Sequence, residues 1–591
     1  MKKWQVKKPQ FSQEPGQALK DRLLEFESAT TRHTQRYLLR RWDNFREVGR
    51  HALGWLLIVA LLVTGVLFQI HSLSAFYTSE VPAAGGTYSE GVVGSADNFN
   101  PLFAASEPEL TVSHLVFSSL FKYDINGNLT GDLADSWSVD STGRIYTVHL
   151  RPNIQWSDGT PITANDVVYT IDTIQDPATD SPLADNWEHV QVTAVNPQTV
   201  TFTLPTTFPP FIYSLTLGII PQHILASIPD YELRTAAFDT DPSVGSGPFA
   251  FQDSQAFSND TEIRLIKNAN YYGGAPLLNG FDVYAYNDYS TMVSAFSSGD
   301  ISAASDLVPQ DAIQLEKKTG VQVTESPLMN ETFAFFNMDS PVLQDSRVRE
   351  ALADATNKTA IVNELGGFYK VMNTPLLPGQ LGYDSALDVD NYNVATANTL
   401  LDQAGWIRNK NGIREKDGQP LTINLAASSD DVYPQVASAL EQQWQALGIV
   451  VQTNLTDPSD MQQNVILPRS YDVLIYQLAL GADPDVYAYW DSSQIGQDGL
   501  NLSNYDSQYV DYELETARTR TDPNLRAAKY EAFTQQWLSD VPAIALYQPT
   551  YGYAMRKGSS GFEPHTLIDQ TDRFVNVTMW STSTKRAIEP H

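Results

Sequence analysis

Few residue groupings in this chain could do covalent chemistry, and each has a plainer reading beside it. Asp124-Ile125-Asn126-Gly127-Asn128 sets three oxygen-bearing side chains at alternate positions, as a calcium loop does. Its glycine stands fourth rather than sixth, which favours a hairpin turn. Tyr487-Ala488-Tyr489-Trp490 offers aromatic faces that could stack on a sugar or a peptide side chain. There is no H-E-x-x-H, no G-x-x-x-x-G-K and no G-x-S-x-G, and the nine histidines are scattered. The absence of cysteine excludes disulfides, thiolate metal sites, cysteine nucleophiles and a lipid-modified amino-terminal cysteine. The expectation is a binder rather than an enzyme, without cofactor or metal.

The elements that must position such groups are legible in outline. Between Leu133 and Val167, Tyr146, Val148 and Leu150 share one face of a strand, and Trp156-Ser157-Asp158-Gly159 makes a turn. Thr163 and Asp166 then have capping-box spacing before Val167, Val168 and Ile171, which predicts a helix start. Thr87 to Val93 reads as a first strand, broken by Asn98-Phe99-Asn100-Pro101. Gln191–Val195 and Thr199–Leu204 read as a hairpin. Val244–Phe249 is a tight turn before a strand, and Met292 to Gly299 is a short helix stopped by glycine. From Leu328 onward helices starting at Asp345, Ala397 and Val436 mix with strands at Ile449–Val451 and Tyr471–Tyr476. Strand and helix alternating in this way predicts an α/β fold. At 591 residues the chain is too long for one core.

The net charge of -31 conceals a division. Residues 1–50 carry 12 Lys/Arg against 6 Asp/Glu, and the remainder carries 26 against 63. An acidic main body excludes nucleic acid as a partner. Acidity supplies solubility and, in its sharper reading, steers cationic solutes. From Ala52 to Ile70 there are 19 residues without a charge. Such a helix is roughly 28 Å long, enough to span a hydrocarbon core. Arg46, Arg50 and the basic residues upstream place the amino terminus in the cytoplasm and the bulk of the chain outside, extracellular or periplasmic. A cleaved signal peptide is the competing reading, with Ser72-Leu73-Ser74 as cleavage site, but its charged region is normally short. The basic tail predicts amphipathic helix at Leu19, Leu23, Phe26 and at Leu38, Trp42, Phe45.

As one string, Leu133–Val167 resembles a signature of the extracellular solute-binding proteins of peptide-type ABC importers. Asn98–Pro101, Gly245–Phe249, Asn270–Tyr272, Phe336-Asn337, Asp345–Leu352, Ala404–Trp406, Asp483–Asp485 and Val541–Ile544 resemble the same family in the same order. The resemblance implies an α/β, two-lobed periplasmic-binding-protein-like clamshell with an extra subdomain in lobe I, preceded here by one transmembrane helix. Its divisions would be a cytoplasmic tail (1–51), the transmembrane helix (52–70), a linker (71–86), lobe I (87–327, with the subdomain at about 120–240), lobe II (328–545) and a return to lobe I (546–591). Closed over solute, such a receptor docks on an ABC permease driven by cytoplasmic ATPases, and a monomer is expected. A membrane-anchored ligand sensor is the alternative, as is a receptor for a non-peptide solute such as an oligosaccharide or metal complex.

The resemblance also implies where ligand binds. Peptide binders of the family hold the ligand backbone like an added strand. The matching segments are Gly94-Ser95-Ala96 and Tyr476-Gln477-Leu478, with Tyr489 and Trp490 lining the cleft. Relatives that grip a free α-amino group place an aspartate where this chain has Leu480. Leucine cannot pair with an ammonium, so a neutral ligand end, another acid such as Asp483 or Asp485, or a non-peptide solute is implied instead. Asn357 stands where aspartate is common and could still cap a helix.

Overall fold

The computed structural model describes residues 45–497 and 499–588. The expected tail helix at Leu19–Phe26 lies outside them, as do Leu38 and Trp42. The chain falls into two compact units, residues 1–81 with 586–591, and residues 82–585.

In the first unit one helix runs unbroken from Phe45 to Tyr77, with Leu53, Trp55, Leu61 and Phe68 exposed along it. Among the described residues, no helix is long and apolar enough to cross a membrane. The expected linker at 71–86 is corrected in part, since helix continues to Tyr77 and Thr78–Pro82 is a strand. Once a helix is nucleated, each added residue gains a bond without a new nucleation cost, so weakly patterned flanks are recruited.

The second unit is built on a twelve-stranded sheet. Its strands are β1 (Thr87–Val93), β2 (Phe249–Phe257), β3 (Asp260–Lys267), β4 (Gly280–Tyr286), β5 (Ala303–Ala304) and β6 (Val321–Pro327). They continue with β7 (Asn330–Phe336), β8 (Tyr369–Val371), β9 (Thr422–Ser428), β10 (Val450–Thr456), β11 (Val473–Ala479) and β12 (Ala543–Arg556). The order is β10-β9-β11-β7-β12-β5-β1-β4-β3-β2, with β6 and β8 also pairing on β12.

β12 explains the arrangement. Its first residues pair with β7, where Phe335 faces Ala543 and Thr332 faces Tyr547. Its last residues pair with β6, from Pro327 opposite Thr550 to Val321 opposite Arg556. The sheet therefore has two halves, each with its own core. Around the first half pack Tyr88, Val92, Phe249 and Phe281. The second half is covered on both faces, which its strands anticipate by being apolar throughout rather than alternating. Ala334, Phe336, Val473 and Ile475 face one core, and Phe333, Phe335 and Leu474 face the other. Phe333, Phe335 and Phe336 are all fully buried, and burying such a ring contributes about 1.5–3 kcal/mol.

A separate four-stranded antiparallel sheet holds Ala134–Val139, Ile145–Leu150, Thr199–Thr203 and Gln191–Asn196 in that order. Tyr146, Val148 and Leu150 point into its core as the alternation predicts, against Val200, Phe202, Val167 and Ile171. Thr163 caps the helix Ala164–Gln175, and Asp166 returns the bond to the Thr163 N–H at 2.8 Å. Asp124 closes a hairpin, accepting from the Asn126 and Asn128 N–H groups at 2.8 and 2.9 Å. Among the described residues no cluster of acidic or histidine side chains could hold a metal.

Candidate functional site

Two stretches of chain pass side by side between the halves of the main sheet, Pro327–Asn330 and Tyr547–Thr550. The Leu328 N–H donates to the Pro549 carbonyl at 3.0 Å, and Gln548 Nε2 donates to the Leu328 carbonyl at 2.8 Å. Pro549 has no N–H, so the ladder is thinned where the halves meet. β12 itself runs unbroken through the crossing, with β8 paired on it from Tyr547 to Pro549.

Gly94-Ser95-Ala96 leaves the end of β1. The Gly94 N–H donates to the Tyr286 carbonyl at 2.9 Å with φ +142°, and an added Cβ would lie 2.9 Å from Pro108 Cδ. Glycine alone meets both conditions comfortably. The Ser95 carbonyl accepts from the Ser106 hydroxyl at 2.6 Å, and Ala96 packs on the first core.

Tyr476-Gln477-Leu478 lies at the end of β11, opposite Phe333, Thr332 and Glu331 of β7. On its other side β11 pairs with β9 through Val473 and Leu474 alone. The outer edge of Tyr476–Leu478 is thus without a strand partner among the described residues. Tyr476 is exposed, whereas Leu478 turns into the core.

The remaining expected residues are committed to the protein itself. Leu480 is buried and its N–H donates to the Met329 carbonyl at 2.9 Å. Asp483 accepts from Arg526 Nη2 at 2.7 Å, both side chains being 8% exposed. Asp485 pairs with Arg518 at 3.1 Å, and burial raises its pKa against that attraction. Asp483 is thus committed to Arg526, whereas Asp485 Oδ1 is buried without a hydrogen-bond partner. Tyr489 donates to the Ala479 carbonyl at 3.2 Å. Trp490 is a correction to the expected cleft lining. It is fully buried, with ring centroids 5.5 Å from both Phe335 and Trp537, because its face completes the core under β7. Asn357 does cap a helix, accepting from the Ala360 N–H at 2.8 Å.

Sequence patterns missed a buried charged cluster on the first half of the sheet. Glu90 of β1 and Arg573, both without exposure, pair at 2.7 and 2.9 Å through Nη2 and Nε. Tyr553 of β12 donates to Glu90 at 2.6 Å, and Arg573 also reaches toward Glu107 at 3.7 Å. Burial, then the nearby Asp306, pushes the Glu107 carboxyl up to about 8. Asp306 follows β5, and Asp431 precedes the helix Tyr433–Ala446 of the other half. Both carboxyls are raised by the protein crowded around them and by neighbouring acids, although each residue keeps solvent-exposed surface. Tyr369 and Tyr547 pack edge to face beside them at 4.9 Å. No local motif marks this set, since its members are drawn from separate loops and strands. A third contact joins the separate four-stranded region to the second half of the main sheet. The Arg518 guanidinium lies 4.1 Å from the Tyr487 ring centroid and 5.1 Å from that of Phe208.

Comparison with known proteins gives this arrangement a family. The sequence profile of the bacterial extracellular solute-binding proteins, family 5 (middle region), matches residues 128–499. The chain is 26% identical to the oligopeptide-binding protein AppA of Bacillus subtilis over 517 residues, 86% of this chain and 93% of the relative. The structure of that protein in complex with a nonapeptide superposes with a TM-score of 0.66, covering 85% of this chain and 99% of AppA at 26% identity. NikZ from Campylobacter jejuni in complex with Ni(L-His) superposes with a TM-score of 0.68, at 26% identity and 84% and 99% coverage. The larger unit therefore has the α/β periplasmic-binding-protein-like fold, and the family consists of transport receptors rather than enzymes. The chain belongs to the bacterial extracellular solute-binding proteins of family 5.

Proposed function

We propose that this protein is a membrane-anchored extracellular receptor that captures peptides, above all oligopeptides, and delivers them to an ABC importer. The halves of the main sheet are its two lobes, 87–327 with the return after 545, and 328–545. The region at about 120–240 is the added subdomain. The observation that carries the reading is the thinned crossing at Leu328 and Pro549, which lets the halves close on a solute. A ligand stabilises the closed form only through its difference in affinity between closed and open states. Peptide as that ligand is supported by the unpaired edge of Tyr476–Leu478. Main-chain pairing there would give affinity whatever the side chains. The nonapeptide held by the Bacillus relative supports the same class.

Anchoring is proposed from the sequence alone, on the uncharged stretch Ala52–Ile70 with Arg46 and Arg50 on the cytoplasmic side. Alkaline carbonate washing should leave the protein in the membrane fraction, and release into the supernatant would defeat the anchor. Native mass spectrometry of the full chain, purified without refolding, tests the ligand. A heterogeneous mixture of co-purified peptides is the expected result. A single sugar or a metal complex would overturn the peptide reading in favour of a non-peptide solute.

A further inference from the structure

A cavity of about 400 Å³ opens beside the first half of the sheet, within the size range of small-ligand pockets. Three separate stretches wall it: the helix Glu107–Val116, the strand Phe121–Tyr123 and the return segment from Asp569 to Thr578. None of its lining residues belongs to Gly94–Ala96, to Tyr476–Leu478 or to the crossing at Leu328 and Pro549. It is therefore not the place proposed for peptide.

The helix brings two polar side chains to this cavity with nothing to bind. Ser113 is only 7% exposed, yet neither its hydroxyl nor the His114 imidazole has a hydrogen-bond partner among the described residues. Their polar atoms are open to the cavity rather than sealed in the core. Buried polar groups are normally paired, so two adjacent unmatched ones mark a place where partners from outside are missing. Burial holds His114 down to about 4, so at neutral pH one ring nitrogen donates and the other accepts. A third open group comes from the return segment. Asp572 Oδ2 accepts the Ile568 and Asp569 N–H groups at 3.0 and 2.8 Å, which leaves Oδ1 without a partner among the described residues.

The charged groups of the wall are otherwise occupied. Lys122 pairs with Asp132 at 3.2 Å and donates to the Tyr272 hydroxyl at 3.0 Å, while Tyr272 donates to Asp132. Asp569 accepts the Thr571 N–H and hydroxyl, each at 2.8 Å. An anion would meet Asp569 and Asp572, and a cation would meet Lys122. What remains on offer is a set of donor–acceptor groups among the rings of Phe117, Phe121, Tyr123 and Phe574. Each hydroxyl of a sugar is likewise both donor and acceptor, and its C–H faces pack on aromatic rings.

We propose that this cavity is a second ligand site, which takes an uncharged saccharide of one or two rings and binds its hydroxyls through Ser113, His114 and Asp572. The site is independent of the peptide reading, since it shares no residue with the crossing.

The test is calorimetric titration of the full chain, in a detergent without a sugar headgroup, with glucose, galactose, N-acetylglucosamine, maltose and cellobiose. At least one should bind saturably, with a dissociation constant on the order of 1 mM. A ligand held this weakly is lost on purification, so solute that co-purifies still reports on the crossing. Ser113→Ala removes only the hydroxyl, and His114→Phe keeps a ring against Phe574, 6.0 Å away between centroids. Each should weaken the sugar at least about ten-fold, with the near-ultraviolet circular dichroism unchanged. Labelling of the wild type decides the matter even if a variant misfolds. Sugar at ten times its dissociation constant should slow modification of His114 by diethyl pyrocarbonate about ten-fold, relative to exposed His189. Absence of saturable binding, affinity unmoved by both substitutions, or no protection of His114 overturns the site and leaves the peptide reading standing. Sugar displaced by saturating pentaalanine sits at the crossing instead, which also overturns the site. Sugar binding that depends on Ser113, with no peptide bound at all, supports the site and overturns the peptide reading.

Discussion

Replacing Glu90 by glutamine isolates the charge of the buried pair with Arg573 while keeping the shape. Glu90 Oε1 accepts two N–H groups of Arg573, at 2.9 and 2.7 Å, and Oε2 accepts the Tyr553 hydroxyl at 2.6 Å. A glutamine can turn its carbonyl to Arg573 and its amide to Tyr553, whose proton can then pass to Tyr88 at 3.1 Å. The hydrogen-bond count survives, and only the charge is lost. Leaving a buried cation without its partner costs about 3–5 kcal/mol. Glu107, 3.7 Å from Arg573, moderates this. Its carboxyl is raised partly by the charge of Glu90, so it ionises more readily once that charge is gone. The expected loss is therefore about 3 kcal/mol, at the low end of that range. Urea titration of the full chain in detergent, followed by tryptophan fluorescence, measures it. Glu90→Gln with Arg573→Met should recover at least half, since the stranded charge is removed too. A loss below about 1 kcal/mol for Glu90→Gln would refute the reasoning, because it would mean that the guanidinium finds solvent.

Three further outcomes are expected. Glu107, Asp572 and Asp239, with carboxyls pushed up by burial to about 8, 7 and 6, bind protons in the folded state that the unfolded chain has released. Their contribution to stability is full below pH 4 and is lost as pH rises toward 8. His114, held down to about 4 by burial, acts oppositely between pH 4 and 6.5. Melting temperatures should therefore decline from pH 6.5 to 8, and Glu107→Gln should flatten the decline; a rise over that range would contradict the assignment. Arg518→Ala removes the contacts with Tyr487 and Phe208 and the ion pair to Asp485, and should weaken closure by about 1–2 kcal/mol. Scattering would register a larger radius of gyration at subsaturating ligand, and an unchanged profile would count against Arg518 as a latch. Gly94→Ala forces a side chain into positive φ and onto Pro108, and should cost about 1–3 kcal/mol in thermal or urea unfolding. A variant as stable as the parent would show that the β1 end can move.

Local chemistry was readable from the sequence, and long-range chemistry was not. Thr163 and Asp166 satisfy each other within one turn, so the capping box and its helix appear where the spacing puts them. Gly299 ends its helix with φ +94°, again a property of a few neighbouring residues. The Asp124 hairpin was decided by the position of one glycine. Trp490 was misjudged because an aromatic run does not say which of its rings turns inward; the partners that bury it, Phe335 and Trp537, lie far off in sequence. Glu90 and Arg573 are 483 residues apart. Asp306 and Asp431 sit in unrelated loops with no shared spacing to betray them. Leu480 is informative in a different way: an apolar side chain cannot pair with an ammonium, and its burial agrees with that.

The position of β12 has a bearing on how the protein is made. This strand lies in the middle of the sheet, yet it leaves the ribosome after every other strand of that sheet. Until Arg556 emerges, β7 on one side and β5 on the other present raw edges to the surroundings. The Tyr88–Tyr553 contact closes a loop of 465 residues, so the sheet cannot be completed until synthesis has passed Tyr553. A nascent form that stays unfinished this long is well suited to threading across a membrane in extended form. It also makes truncation anywhere before Ala543 a lesion of both halves at once.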